Sequence, residues 1–287
     1  MTHNVPVQHV LKHTKSISDT KRREVANLQN YIQELLVDHQ TFLQGSYAND
    51  TSISDINDVD IVAIRKDTFS SVHSGIVCPT SIAWECIFAE IEEKLENQNR
   101  YDWTIKRSDS GKCIEVSTST FKADVVPAVK ITHDIMTDPI AIYSFKTGLE
   151  KVNSPRTHIK NGAEKHNKTN ENFKPVVRMF KNWSKNHFGD ADVVSSYQIE
   201  SLVHASPNEN FANDHVSSFI LVGSHILESL AQETQVPSVC GTEHITNNWD
   251  SQLFRNTLAS SLVQSLAAYR ATTAQEAVTA WDKAFNI

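Results

Sequence analysis

Asp58 and Asp60 stand one residue apart in the run Asp58-Val59-Asp60-Ile61-Val62. Strand side chains alternate, so both carboxylates are expected on one face, with Cβ atoms about 7 Å apart. Two ionised carboxylates held that way repel, and a shared divalent cation removes the repulsion. An all-oxygen donor set suits Mg²⁺ or Mn²⁺. Asp124, in Phe121-Lys122-Ala123-Asp124-Val125-Val126-Pro127, offers a third acid on a separate strand. Its apolar neighbours point to a buried strand, where an uncompensated carboxylate is costly. Three such acids could hold two metal ions, which stabilise the attacking and leaving oxygens of an in-line phosphoryl displacement.

An Asp-x-Asp pair on a strand is common, and alone it is more often a solvated face than a metal site. Gly45-Ser46, thirteen residues upstream, gives this one a context. Glycine permits a tight turn and close approach of the backbone to a phosphate. Ser46 adds a hydroxyl, and a helix starting there would add free N–H donors. Asp55 and Asn57 crowd the pair and make a register based on Asp55 conceivable. Asp58 and Asp60 are preferred because Val59, Ile61 and Ala63 alternate cleanly with them.

Elements must carry these residues. Val25, Leu28, Ile32, Leu35 and Leu36 predict a helix over 19–39 with Asp19 as its N-cap. A strand over 41–44 runs into Gly45-Ser46, and a second covers 58–64. Trp84, Phe88, Ile91 and Leu95 form one stripe of a helix over 81–97. Strand-like runs follow at 101–107, 112–117 and 121–130. A long polar connection is expected over 153–172, the kind of loop that is functional or unstructured. Helical patterns then cover 172–186, 196–205, 214–233, 251–271 and 273–285. The fold class is α+β: a lobe with a mixed sheet backed by helices, over 1–145, then a helical lobe over 146–287.

The 287 residues are enough to bury a core without staples, and 39% hydrophobic with 21% charged residues is a globular composition. A net charge of −7 argues against a broad duplex-binding face. Locally the balance reverses: residues 151–187 hold nine Lys or Arg against two Glu. A positive segment facing an acidic metal site is what a nucleoside triphosphate needs, although charge runs are usually solvated faces. No apolar run is long enough for a membrane helix, and the polar first 18 residues carry no secretory core, so a cytoplasmic protein is expected. Cys78, Cys86, Cys113 and Cys240 lack zinc spacing and are expected as reduced, mostly buried thiols.

Gly45-Ser46, Asp58-x-Asp60 and the later Asp124 resemble the signature of the DNA polymerase β-type nucleotidyltransferases. The run from Phe173 to Trp183, followed by Ser195-Ser196-Tyr197-Gln198-Ile199-Glu200, narrows the resemblance to the cGAS/DncV-like nucleotidyltransferases, or CD-NTases. The likeness spans roughly residues 40–205. It implies a polymerase β-type catalytic lobe and a helical nucleotide-binding lobe. It implies synthesis of a cyclic di- or trinucleotide signal, with pyrophosphate released, in bacterial anti-phage defence. Asp58, Asp60 and Asp124 would hold two Mg²⁺ or Mn²⁺ ions, and Asp124 would help activate the attacking hydroxyl. Gly45 and Ser46 would cradle the triphosphate, Lys181 and Ser196 would bind its oxygens, and Tyr197 would stack on a base. The implied partners are nucleoside triphosphates, ATP with GTP or UTP, and a regulatory protein. No membrane partner and no stable nucleic-acid partner are expected.

Two other functions stay open on the residues alone. One is nucleotide transfer to RNA or protein, as in tRNA-tailing or toxin-type enzymes. An RNA substrate wants an extended basic channel, which a chain at −7 offers only weakly. The other is a catalytically silent nucleotide sensor, which retention of three candidate acids argues against.

Overall fold

A computed structural model describes residues 3–53, 58–77, 80–98, 102–117, 122–189, 191–247 and 249–287, with Asp58 described for its backbone. In chain order the elements are α1 (Val7–Leu11), α2 (Asp19–Leu35), β1 (His39–Gln44), α3 (Gly45–Ala48), β2 (Asp58–Phe69), α4 (Trp84–Glu96), β3 (Thr104–Arg107), β4 (Ile114–Ser117), β5 (Lys122–Lys130), β6 (Ile140–Ser144) and β7 (Leu149–Asn153). The helices α5 (Pro155–Lys168), α6 (Phe173–Phe188), α7 (Ser196–Ala205), α8 (His215–Ala231), α9 (Gln252–Arg270) and α10 (Ala274–Ala284) complete the chain.

The chain divides into two compact units. One comprises Ile17–Asn49 and Asp55–Ile159. Among its described residues, seven strands form one mixed sheet in the order β1-β2-β5-β4-β3, with β6 beside β5 and β7 beside β6. The β2–β5 pairing is parallel; its neighbours are antiparallel. Val59, Ile61 and Ala63 point from β2 into a core shared with Val25, Leu28 and Ile32 of α2 and Ile87, Phe88 and Ile91 of α4. Val62 and Ile64 point the other way and pack with Ala128, Ile140 and Phe42. The alternation read from the sequence is the alternation seen.

The other unit comprises Met1–Ser16, Asp50–Ser54 and Lys160–Ile287. Its core is helical, with Phe173, Phe180, Trp183, Phe219, Phe254, Trp281 and Phe285 all essentially inaccessible. Val5 and Val10 are buried in the same core, so the first residues group with the helices and not with the sheet.

Several expectations change. The single division at 145/146 is replaced by one between Ile159 and Lys160, with residues 1–16 and 50–54 reassigned. The cause is a hairpin that the pattern missed: β6 and β7 extend the sheet through β5. The polar connection over 153–172 is largely the helix α5. Its sequence, PRTHIKNGAEKHNK, has almost no apolar stripe, so periodicity could not show it. Pro155 opens it, where the missing N–H costs nothing. The helix predicted to reach residue 39 stops at Leu35, and His39 already belongs to β1. Its cap is Ser18, whose hydroxyl accepts from the Lys21 N–H. Of the cysteines, Cys113 is buried, Cys240 half-buried and Cys86 exposed; Cys78 lies outside the described residues.

Candidate functional site: an acid row on the sheet

Register places the acids. Asp60 of β2 lies directly opposite Asp124 of β5 in the parallel ladder, so the two carboxylates share a face. The row continues on both sides. Gln44 of β1 pairs with Asp60. Glu115 of β4 pairs with Asp124. Lys106 of β3 pairs with Glu115. Asp58 precedes Asp60 by two residues on β2 and is opposite Lys122. The alternative register at Asp55 and Asn57 lies outside the described residues.

Gly45 explains why the β1–α3 turn needs glycine. Its φ is +68°, a conformation L side chains rarely adopt. A Cβ there would also run into the Asp60 carboxylate. Gly45 and the half-buried Ser46 open α3, a four-residue helix, so a helix does begin at the Gly-Ser step.

Charge along the row is partly compensated. The Lys122 Nζ lies 3.7 Å from Asp124 Oδ1 and 3.5 Å from Glu115 Oε1. Lys106 Nζ lies 3.2 Å from Glu115 Oε2. Burial pushes the neighbouring Cys113 thiol up to about 12, so it stays protonated and is no nucleophile at neutral pH. Glu115 and Lys122 had no signal of their own. A Glu and a Lys on strands are ordinary, and only the cross-strand register brings them to Asp124.

In the helical unit, Ser195 caps α7 through a reciprocal capping box with Gln198. Ser196 and Tyr197 follow in its first turn and are both exposed. The Tyr197 hydroxyl donates to Glu243 Oε1 at 3.0 Å, a partner 46 residues away that no local pattern reveals. Partial burial pushes its phenol up, so it remains a neutral donor. Lys181 is placed differently from expectation. Its side chain is only 3% exposed, and its Nζ donates to Glu200 Oε2 at 3.2 Å and Thr51 Oγ1 at 3.1 Å. Thr51 in turn donates to the same Glu200 oxygen at 2.9 Å. The lysine expected on a triphosphate is thus an interior ion pair that ties α6 to α7. Lys181 belongs to an apolar helix face with Val177, and that face turns inward.

Known proteins resemble this chain in sequence and fold. Residues 160–281 match the model of the cGAS/DncV-like nucleotidyltransferase C-terminal helical domain. A cyclic nucleotide synthase of Staphylococcus haemolyticus, CdnE01, is 27% identical over 232 residues, covering 67% of this chain and 75% of that protein. A cyclic UMP-AMP synthase of Rhodothermus marinus is 28% identical over 201 residues, covering 64% and 68%. The solved structure of the Elizabethkingia meningoseptica CdnE cyclic dinucleotide synthase with GTP and Apcpp superimposes with a TM-score of 0.69 at 25% identity, over 98% of each chain. The helical domain of this chain is of the cGAS/DncV-like nucleotidyltransferase type.

The matched helical domain contains Lys181, Ser196 and Tyr197, and the structural match extends over the sheet. A divalent cation fits the residues present. Asp60 and Asp124 offer an oxygen-only donor set at one level of the sheet. The glycine against the Asp60 carboxylate leaves clear the space that a side chain would fill. Among the described residues no cluster of three His, Cys, Asp or Glu side chains gathers as a preformed metal cage; the Asp58 side chain is outside that set. Among the described residues, no helix is long and apolar enough to cross a membrane.

Proposed function

We propose that this nucleotidyltransferase joins nucleoside triphosphates into a cyclic di- or trinucleotide and releases pyrophosphate, the product serving as a messenger in anti-phage defence. The observation that carries the reading is Asp60 opposite Asp124 in a parallel ladder, with Gly45 against the Asp60 carboxylate, in a chain of this family. A hydroxyl of one nucleotide attacks the α-phosphorus of another; the new P–O bond forms as the bond to pyrophosphate breaks. Asp124 orients that hydroxyl and takes up its proton. Asp58, Asp60 and Asp124 are the residues that would hold two Mg²⁺ or Mn²⁺ ions, which supply charge neutralisation at the transferring phosphoryl group. Gly45 and Ser46 bring backbone and hydroxyl donors to the triphosphate. Ser196 contributes a further hydroxyl from the start of α7, and Tyr197 presents its ring to a base. Lys181 enters as the anchor of α7 and not as a phosphate contact, because its amine is committed to Glu200 and Thr51.

One incubation tests this. Purified protein, Mg²⁺ or Mn²⁺ and four labelled triphosphates are combined, then treated with phosphatase. A phosphatase-resistant small product, lost in Asp124→Asn, is expected. Label found on RNA or on the protein itself would replace the reading with transfer to a macromolecule. All four bases are supplied because relatives are named for different products, cyclic UMP-AMP, dipurine and dipyrimidine nucleotides among them.

A further inference from the structure

The acid row contains one carboxylate, Glu115, and two ammonium groups, Lys106 and Lys122, that the proposed reaction does not use. Glu115 sits directly across the β4–β5 ladder from Asp124, and its side chain is only 14% exposed. Like charges directly opposite in a sheet are destabilising, so a Glu at this position needs an explanation. Lys122, two residues before Asp124 on the same strand, shares its face and lies between the two acids, 3.7 Å from Asp124 Oδ1 and 3.5 Å from Glu115 Oε1. Neither distance is that of a direct charge-assisted hydrogen bond, which is about 2.8 Å. Among the described side chains, the ammonium stands between these two carboxylates. Lys106 reaches Glu115 from the far side, but its side chain is 61% exposed, so its hold is weak.

We infer that Lys122 is the built-in counter-ion of the acid row and Glu115 its alternative partner: Lys122 neutralises Asp124 while no divalent cation is bound, and shifts to Glu115 when one is. This rests on the metal reading given above. The reasoning is electrostatic. A cation held by Asp60 and Asp124 repels an ammonium at Asp124 Oδ1. The lysine stem is flexible, and a small rotation closes the Glu115 contact to a direct hydrogen bond. Glu115 thus lowers the cost of evicting Lys122. It is a positioning residue that acts through Lys122.

The test measures Mn²⁺ binding to the full chain without nucleotide, from the paramagnetic resonance signal of free Mn²⁺. Lys122→Met should tighten binding about three- to fivefold, the ratio for loss of one partly exposed charge pair. Glu115→Gln should weaken it by a similar factor, because Lys122 then stays on Asp124. The double variant should match Lys122→Met alone, since Glu115 has nothing left to act on. Lys122→Arg should bind like the wild type, and a circular-dichroism melt of each variant checks that the fold is intact. Weaker Mn²⁺ binding on adding Glu115→Gln to Lys122→Met would make Glu115 a direct ligand and overturn the inference. Unchanged or weaker binding in Lys122→Met would also overturn it, while leaving the metal reading standing. Wild-type binding that is absent, or that survives Asp124→Asn, would remove the metal reading and this inference together.

Discussion

At Tyr197 the structure adds a constraint that composition does not carry. Its ring is exposed while its hydroxyl is bound to Glu243. Tyr197→Ala should therefore weaken nucleotide binding by about 1–3 kcal/mol, the range for base stacking on an aromatic ring. Tyr197→Phe, expected to be neutral if only the ring face matters, should instead cost about 1 kcal/mol through the lost hydrogen bond. Glu243→Gln should reproduce the smaller effect; equal losses in all three variants would make Tyr197 a structural residue. Gly45 is the second residue whose identity is forced. In Gly45→Ala the positive φ costs about 1–2 kcal/mol of stability. The added methyl also displaces the Asp60 carboxylate. Turnover should drop about a hundredfold, as expected when a reacting group is misplaced by about an ångström. A variant that turns over like the wild type would show that the Asp60 position is not critical.

Elements explain why Lys181 is where it is. Helix α6 turns Phe173, Val176, Val177, Phe180 and Trp183 into the helical core, and Lys181 lies among them. Its charge is tolerable there only because Glu200 of α7 is equally buried beside it. Removing one partner strands the other, so Lys181→Ala should lose about 3–5 kcal/mol. Lys181→Met combined with Glu200→Gln should recover most of that loss, since no isolated charge remains. Urea unfolding of the singles and the double measures this. If Lys181→Ala instead folds normally and raises KM for every nucleotide alike, the lysine is the phosphate contact that the sequence first suggested. The strands make a parallel point. Asp60 needed only alternation to be placed on a face, whereas its pairing with Asp124 needed the register of β2 against β5.

Each unit of the molecule holds a neutral histidine in its interior. His39 in the sheet unit is fully buried, and among the described residues neither ring nitrogen has a hydrogen-bond partner. His13 in the helical unit is stacked on Phe285 at 4.0 Å. Burial, with smaller repulsion from nearby lysines, lowers both from 6.5 to about 4. The folded state therefore binds these protons less readily than the unfolded chain. Stability is full above about pH 6.5, falls as pH drops toward about 4, and loses no more from these groups below that. The slope is about 1.4 kcal/mol per pH unit for each group inside that window. Melting temperatures at pH 7.5, 6 and 5 should decline steadily, and His39→Met should flatten the decline. A wild-type melting temperature independent of pH over that range would show that neither histidine is held neutral.

Local sequence was enough for whatever depends on a short stretch of chain. The period of two along 58–64 assigned Asp60 its face, because a strand buries alternate residues. The period of 3.6 found α2, α4 and α6 to α10 to within a few residues at each end, because amphipathic helices bury a stripe. The spacing of Gly45-Ser46 from Asp58-x-Asp60, with the motifs around Lys181 and Tyr197, pointed to the family whose helical-domain model residues 160–281 match. Helix α5 stayed hidden because a polar helix has no stripe, and β6 and β7 because strands of five residues carry little pattern. Tertiary structure alone decided the row Gln44–Asp60–Asp124–Glu115–Lys106, since cross-strand register is a relation between segments far apart in the chain. It also decided that Lys181 is interior. Whether a lysine on a helix meets water or a buried glutamate depends on the neighbouring helix, and α6 by itself does not say which.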